Sequence, residues 1–299
     1  MWKLAKIVSV IILLIAEVSV SQSNNNKKNT QSVEVGFSIN LFSQVDIRDA
    51  TVAIQMWGNE FTGSLGINYT LNTKIYDNNE DIITALKQNK LDLISLLSTD
   101  YFEISKKAEV EPCFINTTNG KVGNSFLLLV RKDKGIKSLA DLKNKRINIP
   151  VDSYGNIIEM WLETTLNEKE QKLSTFFSEI KTVEKPSQAL LPVFFNQIDA
   201  CVVTEPSFNT MLELNPQLKK ELIIIEKSPE FINGIFCLNK SVNENIKNIT
   251  LDAAQKLTQS ISGRQILSLF KSEELLKYKV EYIKSTKELY EKYKKIQKK

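Results

Sequence analysis

A chain of 299 residues with 42% hydrophobic and 25% charged residues has an ordinary globular balance, which excludes a disordered or fibrous protein. The length suits one large domain or two lobes, and the net charge of +4 comes from Lys and Arg interspersed with acids, so no nucleic-acid footprint is expected. There are no histidines, which removes Ser-His-Asp and Cys-His catalysis and histidine-ligated metals; no cofactor or metal is expected.

The first residues read as an export signal. Met1 to Lys6 is a short basic start, Ile7 to Val20 is apolar, and Ser19 and Ser21 supply small residues before Gln22. A signal peptide over 1–21 and a polar Asn/Lys/Ser spacer over 22–32 are predicted. The run is short for a membrane span and contains Glu17, although an uncleaved anchor is the alternative. No Cys stands at the cleavage point, so a lipoprotein is not expected.

The mature part opens with a β-branched strand, "VEVGFSI" (33–39). Asp46 and Asp49 form a capping-box-like helix start, and Ala50, Ala53, Ile54, Trp57 and Phe61 share one helical face. A strand over 72–78, a helix over 79–90 with Ile82, Ile83 and Leu86 inward, and a strand over 91–98 follow. This alternation predicts a parallel α/β sheet. "CFINTT" and "FLLLVRKD" (126–133) are strand-like and frame the turn-rich "NTTNGKVGN".

A second α/β rhythm then begins. Ser138 caps a short helix (138–145), "RINIPV" (146–151) is a strand, and a helix starts after Asp152-Ser153-Tyr154-Gly155. Strand 179–184, helix 186–197, strand 199–204, the helix over "PSFNTMLELN" and strand 222–227 continue it. Pro186 suits a helix start, whereas Pro192 should kink or break that helix. "GIFCLNK" (234–240) is another strand, followed by helix from about Asn243 to Phe270 with a break near Gly263. The tail from Ser285 carries Leu289, Tyr290, Tyr293 and Ile296 on one stripe, as a docked surface helix with a solvated basic face would; membrane-surface binding is the minor alternative.

Ligands in such sheets bind at the carboxyl ends of strands. Those ends carry Ser38 and Asn40; Ser98, Thr99, Asp100 and Tyr101; Asp152, Ser153, Tyr154, Gly155 and Asn156; and Thr204 with Glu205. Hydroxyls and amides at every end suit a small polar ligand; taken singly each hydroxyl is more often a helix cap, and their coincidence across the strand ends carries the binding reading. No phosphate loop, dinucleotide fingerprint or nucleophile elbow is present. Cys113, Cys201 and Cys237 form no C-x-x-C pair. Cys201 and Cys237 read as buried thiols; one pair could bridge in an oxidising compartment, and a Cys-dependent enzyme is the alternative from another class.

"SLADLKNKRINIP", "LLSTDYF", "LPVFFNQIDACVVTEPSFNTMLELNPQL" and "SPEFINGIFCLNK" occur in an order that resembles the phosphate/phosphite/phosphonate-binding family of ABC-transporter solute-binding proteins, from about Val33 to Lys271. The resemblance implies a type II periplasmic binding protein fold: lobe 1 from 33–113 plus 239–299, lobe 2 from 119–233, and hinges near 114–118 and 234–238. It implies a periplasmic, monomeric, non-enzymatic protein that presents a small anionic or zwitterionic ligand to an ABC permease. A periplasmic sensor docking on a membrane receptor is the runner-up. Ser153 matches the family's anion-gripping hydroxyl and Tyr101 an aromatic or hydroxyl position at the third strand end. Asp152 and Glu205 depart from the pattern, which points to a ligand that also carries an amine.

Overall fold

The computed structural model describes residues 31–42, 45–64, 69–117, 120–151, 156–269 and 272–298. The expected signal peptide and most of the spacer lie outside these residues. Both sheets belong to one unit, Ser32–Lys299.

Strand β1 (Gln31–Ser38) ends in a 3₁₀ turn over Ile39–Phe42. Helix α1 (Ile47–Ser64) starts at Asp46, whose carboxylate accepts from the Arg48 amide at 2.9 Å and so satisfies one of the free N–H groups of the first turn. Its Ala50 and Ile54 are buried, and Trp57 packs on the same core. The side chains of Ala53 and Phe61, read onto that face, lie outside the description. After β2 (Tyr69–Tyr76), helix α2 (Asn79–Lys87) is capped by Asn78, which accepts from the Asp81 amide at 2.9 Å. It buries Ile82, Ile83 and Leu86, as their spacing predicts. The fully buried β3 (Leu93–Leu97) runs directly into α3 (Ser98–Ile104), and β4 (Val110–Thr117) follows.

The chain then builds a second sheet with β5 (Phe126–Arg131), β6 (Arg146–Pro150), α4 (Ile157–Asn167), α5 (Leu173–Phe176) and β7 (Glu179–Val183). Helix α6 (Pro186–Phe194), β8 (Ala200–Thr204), α7 (Glu205–Leu214), α8 (Gln217–Glu221) and β9 (Leu222–Lys227) complete it. The chain returns to the first sheet through β10 (Gly234–Asn239), α9 (Glu244–Gln259), α10 (Ile261–Leu269), β11 (Glu274–Lys277) and α11 (Lys284–Gln297).

The first sheet has the order β11-β4-β10-β3-β1-β2 and the second β7-β6-β8-β5-β9. Neither is the purely parallel sheet that the alternating rhythm suggests. Strand β1 runs parallel to β3, and β6 parallel to β7 and β8. Strand β10 is antiparallel to β3 and β4, β11 to β4, and β5 to β8 and β9. The physical reason is connectivity: β5 and β10 enter from the other sheet, so no helical crossover forces them parallel.

The two passages between the sheets are tied to each other. Asn124 and Phe231 exchange backbone hydrogen bonds, each at 3.0 Å. A Cβ on Gly123 would stand 2.8 Å from the Phe231 carbonyl oxygen, so only glycine permits this approach. On the returning passage the Ser98 amide donates to the Asn233 carbonyl at 2.8 Å, and the Ile232 amide donates to Thr286 Oγ1 at 3.0 Å. Phe114–Thr117 and Gly234–Leu238 are paired strands of the first sheet.

Local details refine the expectations. The helical stretch after Asn243 breaks at Ser260, close to Gly263 as expected. Gly263 lets α10 fold back on α9, because an added Cβ would collide with the Leu257 carbonyl oxygen at 1.9 Å. Strand β11 was not anticipated; it is a short edge strand whose partner is remote in sequence. Pro192 does not break α6 at its own position, because the helix ends only two residues later. The carbonyl its missing N–H would have met, that of Gln188, accepts instead from Asn148 Nδ2 at 3.4 Å.

Candidate functional site

Strand β1 and strand β3 end side by side, and the turn after β1 meets the first turn of α3. There the Asp100 carboxylate collects three polar side chains. Asn40 Nδ2 donates at 2.9 Å, Asn79 Nδ2 at 3.1 Å and Ser38 Oγ at 3.3 Å. Ser38 Oγ also accepts from the Asn40 amide at 3.3 Å, which fixes the turn. Among the described residues no lysine or arginine is paired with Asp100.

This corner opens into a cavity of about 680 Å³. One wall is Asn40, Thr99, Asp100 and Glu103 from the first lobe. Facing it are Asn156 and Met160 at the start of α4 in the second lobe. Asn156 holds the left-handed conformation (φ 61°), which asparagine tolerates better than most residues, and turns the chain into α4. The amide groups at the start of a helix favour negative charge. The cavity lining therefore holds both a carboxylate that no lysine or arginine pairs with among the described residues and a helix N-terminus.

Helix α11 closes a third side with Tyr293, Lys294 and Gln297. Glu103 accepts from the Tyr290 hydroxyl and pairs with Lys294 at 2.7 Å and Lys106 at 3.3 Å. The bonds from Lys294 and Tyr290, in that order, hold the Glu103 carboxyl down at about 2. Burial, reinforced by Glu103, pushes the Tyr290 hydroxyl well up, so it stays a donor.

With this geometry in view, the family comparison is decisive. Residues 41–279 match the family described as ABC transporter, phosphonate, periplasmic substrate-binding protein. The chain belongs to that family. A search of curated proteins returns no match. Among solved structures, PhnD1 from Prochlorococcus marinus in complex with methylphosphonate superposes with a TM-score of 0.58 at 15% identity, covering 89% of this chain and 99% of that one. A binding-protein component of an ABC phosphonate transporter from Pseudomonas aeruginosa gives 0.56 at 15% identity, covering 87% and 85%. XAC2383 from Xanthomonas citri bound to ATP gives 0.61 at 11% identity, covering 90% and 99%. These likenesses show the fold, that of the type II periplasmic binding proteins.

As a member of the phosphonate-binding family, the chain distributes its sequence-predicted residues unevenly over the cleft. Asn40, Thr99 and Asn156 line the cavity, and Ser38 supports it through Asp100. Ser98 is fully buried and its hydroxyl donates to the Ile232 carbonyl at 2.8 Å. Tyr101 is half-buried against the core, and burial pushes its hydroxyl up to about 12. Thr204 caps α7, accepting from the Ser207 amide at 3.3 Å. Glu205 pairs with Lys227 at 2.6 Å and Lys121 at 3.1 Å, and those lysines, Lys227 first, hold its carboxyl below the usual range. Asp152, Ser153, Tyr154 and Gly155 lie outside the described residues.

Asp100 is one of the strand-end residues, but nothing in the sequence singles out its carboxylate, and Glu103 and α11 carry no sequence signal of proximity to the cleft. The three cysteines are buried free thiols. Burial pushes Cys113 up to about 12 and raises Cys201 and Cys237 as well, so the reactive thiolate form is suppressed in all three.

Proposed function

We propose that this chain captures a small zwitterionic ligand, a phosphonate or phosphate-like anion bearing an amine, and presents it to an ABC permease. The carrying observation is Asp100. A carboxylate held by three neutral donors and paired with no cation among the described residues would repel a simple anion, but it offers an amine a charge-assisted partner. Glu205 adds no such repulsion, because two lysines neutralise it. The anionic end then belongs at the start of α4, with Asn156 and the preceding Ser153, Tyr154 and Gly155 as its contacts. Thr99 would border the same ligand from the first lobe, with Tyr101 packed in the core behind it. The methylphosphonate bound by the Prochlorococcus marinus relative supports the anion class.

In this reading the protein is exported by its first 21 residues, is not a lipoprotein, works as a periplasmic monomer and performs no chemistry. Residues 33–113 plus 239–299 form one lobe and 119–233 the other. The bending would fall near 114–118 and 234–238, where strands of the first sheet lead to and from the passages between the sheets.

The test is a thermal-shift panel of phosphate, methylphosphonate and aminoethylphosphonate. A ligand at a hundred times its Kd should add about 2.7 kcal/mol of stability. Aminoethylphosphonate is expected to give the largest shift. A melting curve that none of the three moves would reject the proposal.

A further inference from the structure

The C-terminal helix is more than a docked tail. At its start, Thr286 Oγ1 holds the Ile232 amide of the interlobe passage. Farther along, Lys292 pairs with Glu168 at the end of α4 in the second lobe, 2.8 Å away. Leu289 and Tyr290 are buried, and the Tyr290 ring packs on Phe102 of α3 at 4.9 Å between centroids. The helix is thus fixed to both lobes, and its other face looks into the cleft through Tyr293, Lys294 and Gln297.

Among the described residues, Lys294 has the one cationic side chain that lines this cavity. Its partner Glu103 is over-supplied: it also holds Lys106 and the Tyr290 hydroxyl. The three charged groups Glu103, Lys106 and Lys294 sum to one positive charge. Lys294 can therefore leave Glu103 without abandoning a bare carboxylate, which would otherwise be costly in a half-buried site. Asn156, at the start of α4, lines the same cavity and places the anion-favouring helix end within the same space.

We propose that α11 is a third wall of the ligand cleft and that Lys294 is its anion contact, exchanging Glu103 for the ligand's anionic group on binding. The proposal rests on the cleft being the ligand site.

Calorimetric titration of phosphate, methylphosphonate and aminoethylphosphonate into the full chain and into K294Q, K294R, K287Q and E103Q tests it. A charge-assisted hydrogen bond lost from the complex should weaken the bound compound about ten- to a hundredfold in K294Q. K294R keeps the charge and should lose much less. K287Q, altered on an exposed turn of the same helix, should bind as the wild type does. E103Q frees Lys294 and should tighten binding. Should K294Q fail to fold, the E103Q result decides: unchanged or weaker binding there overturns the proposal. Wild-type affinity in a folded K294Q overturns it too, while leaving the ligand reading intact. If the wild type binds none of the three compounds, both fall.

Discussion

Asn40 donates to the Asp100 carboxylate at 2.9 Å, and this bond lets a neutral amide, not a cation, satisfy an acid at the mouth of the cleft. A ligand amine that reaches Asp100 would meet an acid whose described side-chain partners are all neutral donors. D100N removes the charge but keeps an oxygen that can accept from Asn40, so the fold should persist. Its effect should be on selectivity: the preference for aminoethylphosphonate over methylphosphonate should fall about tenfold or more, the worth of a hydrogen bond to a charged group. Paired titrations of the two compounds measure it. An unchanged ratio would show that the amine is held elsewhere.

The tie between α3 and α11 has a definite pH window. Glu103 is depressed from an ordinary value of 4.5 to about 2, so its contribution is fully present above about 4.5 and is lost as pH falls through about 2. Tyr290 is shifted the other way, from an ordinary value of 10.0 upward, so its contribution is fully present below about 10 and is lost only above it. Thermal melts of the wild type and E103Q between pH 6 and pH 2 should show a constant gap down to about 4.5 that narrows below it. A gap independent of pH would mean that the carboxylate charge does not hold α11.

The local elements were legible because their signals are local. Ile82, Ile83 and Leu86 recur at helical spacing, and all three are buried in α2. Asp46 stands where a cap is needed and caps, whereas Asn78, read as the end of a strand, proves to be the cap of α2. What failed depended on partners remote in the chain. The edge strand β11 exists through β4, far earlier in the chain. The same division runs through the site. Strand-end hydroxyls were easy to find, and Thr204 caps its own helix through the nearby Ser207, but the sequence could not say that Ser98 bonds to the distant Ile232. The apolar stripe of α11 announced docking, while the surface it docks on lies in helices more than a hundred residues earlier.

Ser98 separates structural hydroxyls from ligand hydroxyls. Its side chain is fully buried and bonded to the Ile232 carbonyl at 2.8 Å, on the returning passage between the lobes. S98A should lower stability by about 1–2 kcal/mol, because a buried acceptor loses its donor. Ligand affinity should stay close to that of the wild type. Urea denaturation and titration of the same preparation read both. A large loss of affinity at unchanged stability would instead make Ser98 a ligand contact.

Asn148 and Pro192 form a compensated pair inside the second lobe. Pro192 deprives the Gln188 carbonyl of its helical partner, and the buried Asn148 side chain supplies a donor from β6. N148A should therefore leave that carbonyl unpaired and cost about 1–3 kcal/mol. P192A restores a backbone amide that can take over the bond, provided the last turn of α6 holds its course. In the P192A background, N148A should cost distinctly less, while the volume lost at position 148 is the same in both. The four-way cycle of urea denaturation curves isolates this coupling. Equal costs in the two backgrounds would mean that Asn148 stabilises the lobe by packing alone and that the helix end tolerates its open carbonyl.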